Sequence, residues 1–244
     1  MRLRILTWNI HKGIGGVDRR YRPERIVSVI AHYDPDVVLL QEVDEGAKRS
    51  QRHRQVDHIG DALELPHRAY GPNVTLRRGG QYGNAILSRW PVDDVHNFDL
   101  TVKPKKRRAV LFARCHVPIG THTRLMAIFN MHLGLAGFER NIQLKRFLKT
   151  HPFDQFRART PIVAGGDFND LWGTLGKKHF EPAGFARAGA LVNTYPAALP
   201  MRPLDGLYVR GDLTADRCFR SRMTLAREAS DHVPLVADCT IRRL

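Results

Sequence analysis

The stretch Ala164-Gly165-Gly166-Asp167-Phe168-Asn169-Asp170 places three oxygen-bearing side chains within four positions, directly after the apolar run Pro161-Ile162-Val163-Ala164. A buried strand has no need of a carboxylate at its end, whereas glycines let the chain turn sharply and bring polar groups close to a ligand or ion. An ordinary turn or a helix N-cap draws on the same residue types. A calcium loop is excluded: counted from Asp167, position six is Trp172, where such a loop needs Gly, and position twelve is Lys178, where it needs a bidentate Glu. Whether this is a turn or a site depends on partners elsewhere in the chain.

Partners are present. Other strand-like apolar runs end in or contain Asn9, Glu42, His132, Asp205, and Asp231 with His232. One His on an apolar strand, such as His116, reads as a structural residue. The set as a whole, rich in Asp, Glu and Asn oxygens, poor in nitrogens and without thiolates, suits a hard divalent cation, Mg²⁺ or alternatively Mn²⁺, better than zinc. That points to phosphoryl chemistry. Cys115, Cys218 and Cys239 are widely spaced without a CxxC pair, which indicates neither a zinc knuckle nor a disulfide framework.

The elements that must position these groups follow from periodicity. Leu3, Ile5, Thr7 and Trp8 alternate approximately and stop at Asn9-Ile10-His11-Lys12, so a first strand ends in a polar loop. The glycines at 13, 15 and 16 lack the GK[ST] ending of a P-loop and the third Gly of GxGxxG. Pro23 opens a helix whose apolar positions run to Tyr33 and stop at Asp34-Pro35. Val37 to Glu42 reads as a central strand ending in a carboxylate, Val56 to Leu65 as a weak helix, and Tyr82 to Ser88 and Val92 to Phe98 as strands. Ala109 to Val117 and Leu125 to Leu133 form an antiparallel pair across a short turn. Phe138 to Leu148 is a covering helix, Gly173 to His179 a short helix, and Pro203 to Val209 and Val233 to Thr240 are strands. No repeat or Pro/Gly/Ser-rich linker divides the 244 residues, and a single domain over 1–244 is expected.

The formal net charge is +15, concentrated in residues 49–54, 77–78, 103–108 and 217–227. Such a surface attracts polyanions: nucleic acid first, with an anionic membrane surface as the alternative. No apolar run approaches the length of a membrane span, and the N-terminus enters a strand without a signal-peptide core, so a cytoplasmic protein, acting as a monomer, is expected. Phe180 to Phe185 and Tyr195 to Met201 are the only modest apolar stretches able to touch a bilayer.

Thr7-Trp8-Asn9-Ile10-His11, Leu40-Gln41-Glu42, Asn130-Met131-His132-Leu133, Gly166-Asp167-Phe168-Asn169, Leu204-Asp205-Gly206-Leu207 and Ser230-Asp231-His232 resemble, in order, the motifs of the endonuclease/exonuclease/phosphatase superfamily. Each motif is weak alone, and together they span essentially the whole chain. The resemblance implies an α/β fold, a four-layer sandwich of two mixed, largely antiparallel sheets flanked by helices, and a metal-dependent phosphodiesterase. It also implies roles. Glu42 would be the direct Mg²⁺ ligand, with Asn9 and Asp231 near the ion or its waters. Asp167 would orient or deprotonate the attacking water, and Asn169 would donate to a phosphate oxygen. His232 would lie against the scissile phosphate, its other ring nitrogen held by Asp205, and His132 would stabilise the transition state or protonate the leaving oxygen. Arg108, Asn84 and His11 are the candidate substrate contacts, with Lys12 beside His11.

The apurinic endonucleases carry Tyr where His132 stands and Lys two places beyond the metal Glu, where this chain has Asp44. The chain is therefore nearer the His-containing DNase I- and sphingomyelinase-like branch. The Glu that partners the first His of DNase I-like nucleases has no counterpart in Gly80-Gln81-Tyr82, which leaves the partner of His132 open. A phospholipid or small phosphoester is the rival substrate to nucleic acid, and a catalytically inactive nucleic-acid-binding module ranks lower because every matched catalytic position is filled.

Overall fold

The computed structural model describes residues 1–242. In chain order the elements are β1 Arg2–Asn9, α1 Pro23–Tyr33, β2 Val37–Glu45, α2 Gln55–Ala62, β3 His67–Thr75, β4 Gln81–Ser88, β5 Val92–Asp99, β6 Ala109–Ile119 and β7 His122–His132. They continue with α3 Gly137–Phe147, β8 Ile162–Asp167, β9 Ala186–Arg187, β10 Asp205–Arg210, β11 Leu213–Arg220, α4 Thr224–Ala229 and β12 Leu235–Ile241. The strands form two six-stranded mixed sheets, ordered β11-β12-β1-β2-β4-β3 and β5-β6-β7-β8-β10-β9. Among the described residues, only β1–β2 and β7–β8 pair in parallel.

The central strands are apolar on both faces, and the two faces go to different cores. Leu3 and Ile5 of β1, Val37 and Leu39 of β2, and Val163 of β8 pack between the sheets. Their neighbours Leu6, Trp8, Val38 and Leu40 pack in a second core with Ile26, Val29 and Ile30 of α1 and Val56 and Ile59 of α2. On the far side, Phe129, Ile162 and Ala164 meet Leu144 and Phe147 of α3 in a third core. Helix, sheet, sheet and helix thus stack as the expected four-layer α/β sandwich, because a strand covered on both faces must be apolar on both.

Several details differ from the sequence reading. β3, β9 and β11 were not foreseen: β3 and β11 are the outer strands of one sheet, β9 of the other, and β11 carries Asp216, Arg217 and Arg220 on a partly exposed face. Edge strands with charges blunt pairing to other chains and lack the alternation that marks a strand. β2 does not stop at Glu42. It runs on to Glu45 through a bulge, where the register to β4 shifts between Leu40 and Val43 and Glu42 adopts φ 58°. The helix expected over Gly173 to His179 is a single wide turn, Gly176–Phe180. Phe180 and Phe185 are buried in the third core and cannot touch a bilayer.

Candidate active site

Strand register builds the site. His132 at the end of β7 pairs with Asp167 at the end of β8, and Asp167 pairs with Asp205 at the start of β10, so three polar residues stand in a row across adjacent strands. The other sheet supplies Asn9 at the end of β1, whose amide donates to Asp167 Oδ2 at 3.0 Å and bridges the two sheets. The loop before β12 is tied to that strand end. Ser230 Oγ donates to the Asn9 carbonyl at 2.7 Å, and Trp8 Nε1 donates to the His232 carbonyl at 2.8 Å. These bonds fold Asp231 and His232 over β1.

The residues converge on Asp167. Its Oδ1 accepts the Asn169 N–H at 2.9 Å, and its Oδ2 lies 3.4 Å from His132 Nε2 and 3.8 Å from His232 Nε2. Burial, aided by the Asp205 charge, raises its pKa to about 6 against the opposing pull of His232. Burial alone would discharge His232, yet Asp205, bonded to its Nδ1 at 2.8 Å, and Asp167 hold it as imidazolium, with a pKa raised to about 10. His132 goes the other way: burial and the nearby Arg108 guanidinium push it well below the ordinary imidazole range. Two imidazoles against one carboxylate are therefore opposite in charge state, one a cation and one a neutral ring. Two carboxylates face His132: Asp167 at 3.4 Å from its Nε2, and Glu42, whose charge opposes the effect of burial.

Glu42 protrudes from the bulge of β2. Burial would raise its pKa, but the Lys12 ammonium, in a direct ion pair with it, pulls it down to about 2. Lys12 and His11 both sit in left-handed backbone, a strained pair of positions for side-chain-bearing residues. The ammonium is a stand-in cation: it shows that the Glu42 carboxylate is ionised and faces a position that a cation fills. A buried, ionised carboxylate is the kind of hard oxygen ligand that a divalent cation such as Mg²⁺ takes. Atoms of Asp167, Asp205 and His232 also come within 4.8 Å of one another. There the His232 ring lies between the two carboxylates, bonded to Asp205 through Nδ1.

The remaining candidates are placed as follows. Asn169, in left-handed backbone at φ 50°, donates from its amide to the Leu133 carbonyl at 2.9 Å, leaving its second N–H free. Asp231 is half-buried beside Asn9. The Arg108 guanidinium is buried and its Nε has no partner, a desolvated cation beside His132 whose natural complement is an anion. His11 closes its own loop, with Nδ1 2.9 Å from the Ile14 carbonyl, and lies next to the site. Asn84 lies deeper than the other candidates. It is wholly buried and donates to the carbonyls of Ala109 and Asn130, so it fastens β4 to the opposite sheet, and its Oδ1 has no partner.

Sequence reasoning missed some supporting residues. Gln41 donates to Asn130 Oδ1 at 2.7 Å, and Asn130 donates to the carbonyls of Leu40 and Ala85 at 2.8 Å each, a buried network that holds the bulge under Glu42. Both residues lie inside motifs already singled out, which was the available signal. Thr194 donates from Oγ1 to Asp205 Oδ2, and no pattern in its loop announces this.

A family model for the endonuclease/exonuclease/phosphatase family matches residues 6–232. The chain belongs to this family. Endonuclease/exonuclease/phosphatase proteins hydrolyse phosphoesters, generally with a divalent metal, and this chain carries a buried Asp167, Asp205 and His232 group. The chain is 29% identical to the uncharacterized protein YbhP of Escherichia coli K12, over 96% of this chain and 95% of that one. Its fold is similar to an endonuclease/exonuclease/phosphatase from Beutenbergia cavernae, with a TM-score of 0.81 at 24% identity, covering 98% of this chain and 72% of that one. It is also similar to the mannosyl-6-phosphatase Bt3783 of Bacteroides thetaiotaomicron, with a TM-score of 0.71 at 17% identity, covering 98% and 100%.

Proposed function

We propose that the protein is a Mg²⁺-dependent phosphodiesterase that hydrolyses its substrate by in-line attack of water, with nucleic acid as the leading substrate. The carrying observation is Asp167: a buried carboxylate of raised pKa, aimed by Asn9 and by its own loop at the space between two imidazoles. Asp167 accepts the proton of the attacking water as the new O–P bond forms. The His232 imidazolium and the free N–H of Asn169 donate to non-bridging oxygens as negative charge builds there. Arg108 holds the phosphate, and neutral His132 donates a hydrogen bond toward the departing oxygen. When bound at Glu42, with Asn9 and Asp231 near it, Mg²⁺ neutralises charge on the phosphate and leaving group.

The net charge of +15 supports a nucleic-acid substrate. A second reading, a phospholipid or small phosphoester, is favoured by exposed apolar residues around the mouth, Trp172 at 70% and Leu199 at 68% exposure among them.

The test is a substrate panel with Mg²⁺, Mn²⁺ or EDTA: plasmid DNA, single-stranded DNA, RNA, sphingomyelin, cardiolipin, a phosphoinositide and bis-p-nitrophenyl phosphate. Turnover is expected with metal and none with EDTA. Asp167→Asn should remain folded and lose about 10²–10⁴-fold in turnover. Absence of turnover on every substrate together with salt-sensitive DNA binding would replace the enzyme with a binding module, and near-wild-type rates in Asp167→Asn would remove Asp167 as the base.

A further inference from the structure

Three loops surround the Asp167 site, and each leaves it within a few residues of a catalytic side chain. Leu135 and Phe138 follow His132, Leu171 and Trp172 follow Asn169, and Leu199 and Met201 precede Asp205. All six are exposed, and Leu135, Phe138, Trp172, Leu199 and Met201 range from 56% to 72%. The loops are joined to one another. Asn169 donates to the Leu133 carbonyl and Arg202 lies 5.0 Å over the Trp172 ring, while the Tyr195 ring sits 5.0 Å from that of His232. The result is a collar of large apolar tips on adjoining loops beside a polar centre.

Isolated exposed apolar residues need no explanation, but a cluster rimmed by polar groups marks a contact surface. The charges decide which. Residues 133–138, 171–180 and 195–203 contain no Asp or Glu, while Lys177, Lys178 and Arg202 lie within them. The exposed run Lys103, Lys105, Lys106 and Arg107 stands alongside, with Lys105 5.9 Å over the Phe138 ring. Large apolar tips interleaved with cations, with exposed Glu181 only beyond the second stretch and Asp231 half-buried behind the third, are the composition of a surface that enters the interfacial region of an anionic bilayer. A nucleic-acid backbone would have no use for leucine and methionine tips, and a protein seated on the collar would close the mouth it encircles.

We propose that this collar is a docking surface for an anionic lipid bilayer. The apolar tips enter the boundary between headgroups and acyl chains, about 5–10 Å deep for interfacial elements, and the cations remain at the headgroup level. Because the tips surround the mouth, docking sets the plane of lipid phosphates against the Asp167 site. That orientation rests on the phosphoester-hydrolase reading, whereas docking itself does not.

The test reads binding without turnover, in EDTA. Trp8 is fully buried, Trp90 is 9% exposed and Trp172 is 70% exposed, so Trp172 is the natural reporter. Vesicles of equal parts phosphatidylglycerol and phosphatidylcholine are expected to shift its emission to the blue and to co-sediment the protein, and phosphatidylcholine alone much less so. Leu199→Glu with Met201→Glu, and separately Leu135→Glu in a different loop, should each weaken co-sedimentation about tenfold or more while thermal unfolding stays close to wild type. The Leu135 variant keeps the test decisive should the double variant fail to fold. Binding to anionic vesicles with unchanged Trp172 emission and no effect of these variants would mean adsorption by charge alone and overturn the proposal. So would a Trp172 response to duplex DNA but not to vesicles. A substrate panel without turnover alongside a positive vesicle result would sink the catalytic reading and leave the docking surface standing.

Discussion

Asp167 and His232 hold their proton between them in a form that matches their roles. With the carboxylate at about 6 and the imidazole at about 10, the pair is Asp⁻/His⁺ between those values. The activity-competent form is lost below pH about 6, as Asp167 is protonated, and above pH about 10, as His232 loses its proton. For His232 the stability follows the same sign as its alkaline limb, whereas the raised pKa of Asp167 costs stability above about pH 6. His232, raised from an ordinary value of 6.5, contributes stability that is fully present below pH 6.5 and disappears as pH rises through about 10. Asp205 is the first of the charges holding His232 up, so Asp205→Asn should move the alkaline limb of kcat/KM for bis-p-nitrophenyl phosphate down toward neutrality. A pH–rate profile of the variant checks this. An unmoved alkaline limb would show that another group sets it.

At the scale of elements, the Gly165-Gly166 pair of β8 serves packing more than phosphate. A Cβ on Gly165 would meet Leu207 Cδ2 of the adjacent β10 at 2.5 Å and Leu39 Cδ1 across the sheet interface at 2.8 Å. On Gly166, at φ 140°, it would meet the Met131 carbonyl oxygen at 1.9 Å. The sequence reading gave these glycines to the ligand; they let β8 lie close to β7 and to the other sheet, and so bring Asp167 level with His132. Gly166→Ala should therefore destabilise the fold by more than about 2 kcal/mol, through both backbone strain and the clash. Urea unfolding measures this, and a midpoint within error of wild type would contradict the packing role. Phe168 packs in the third core, and Asp170 accepts the Leu175 N–H at 2.8 Å to close the following turn, as its place in the motif suggested. Strands apolar on both faces were legible in the sequence, because burial leaves an unbroken run of Val, Ile and Leu. The edge strands β3, β9 and β11 were not, since a half-exposed strand keeps polar residues, and neither was the bulge at Glu42, which arises from pairing between distant strands. The convergence of His132, Asp167, Asp205 and His232 was legible only as an ordered set of motifs. The Lys12–Glu42 pair and the Thr194–Asp205 bond depend on loop conformations that local patterning does not specify.

At the scale of the molecule, the excess of cations acts before any of these contacts form. A net charge of +15 on 244 residues raises the local concentration of any polyanion and releases its counterions on binding, a contribution that salt weakens steeply. The site itself responds differently. Asp167, His132, His232 and Arg108 are all buried, and buried pairs are screened far less than surface charge, with a Debye length of about 8–10 Å near physiological salt. The two contributions can therefore be separated by substrate size. For bis-p-nitrophenyl phosphate, a single phosphodiester that touches only the site, kcat/KM should change little as salt rises. For a polyanion that also covers the basic surface, plasmid DNA or an anionic vesicle, kcat/KM should fall by an order of magnitude or more, through KM with kcat nearly constant. Parallel decline for small and large substrates would place the salt sensitivity inside the site, and the surface charge would then have no part in choosing the substrate.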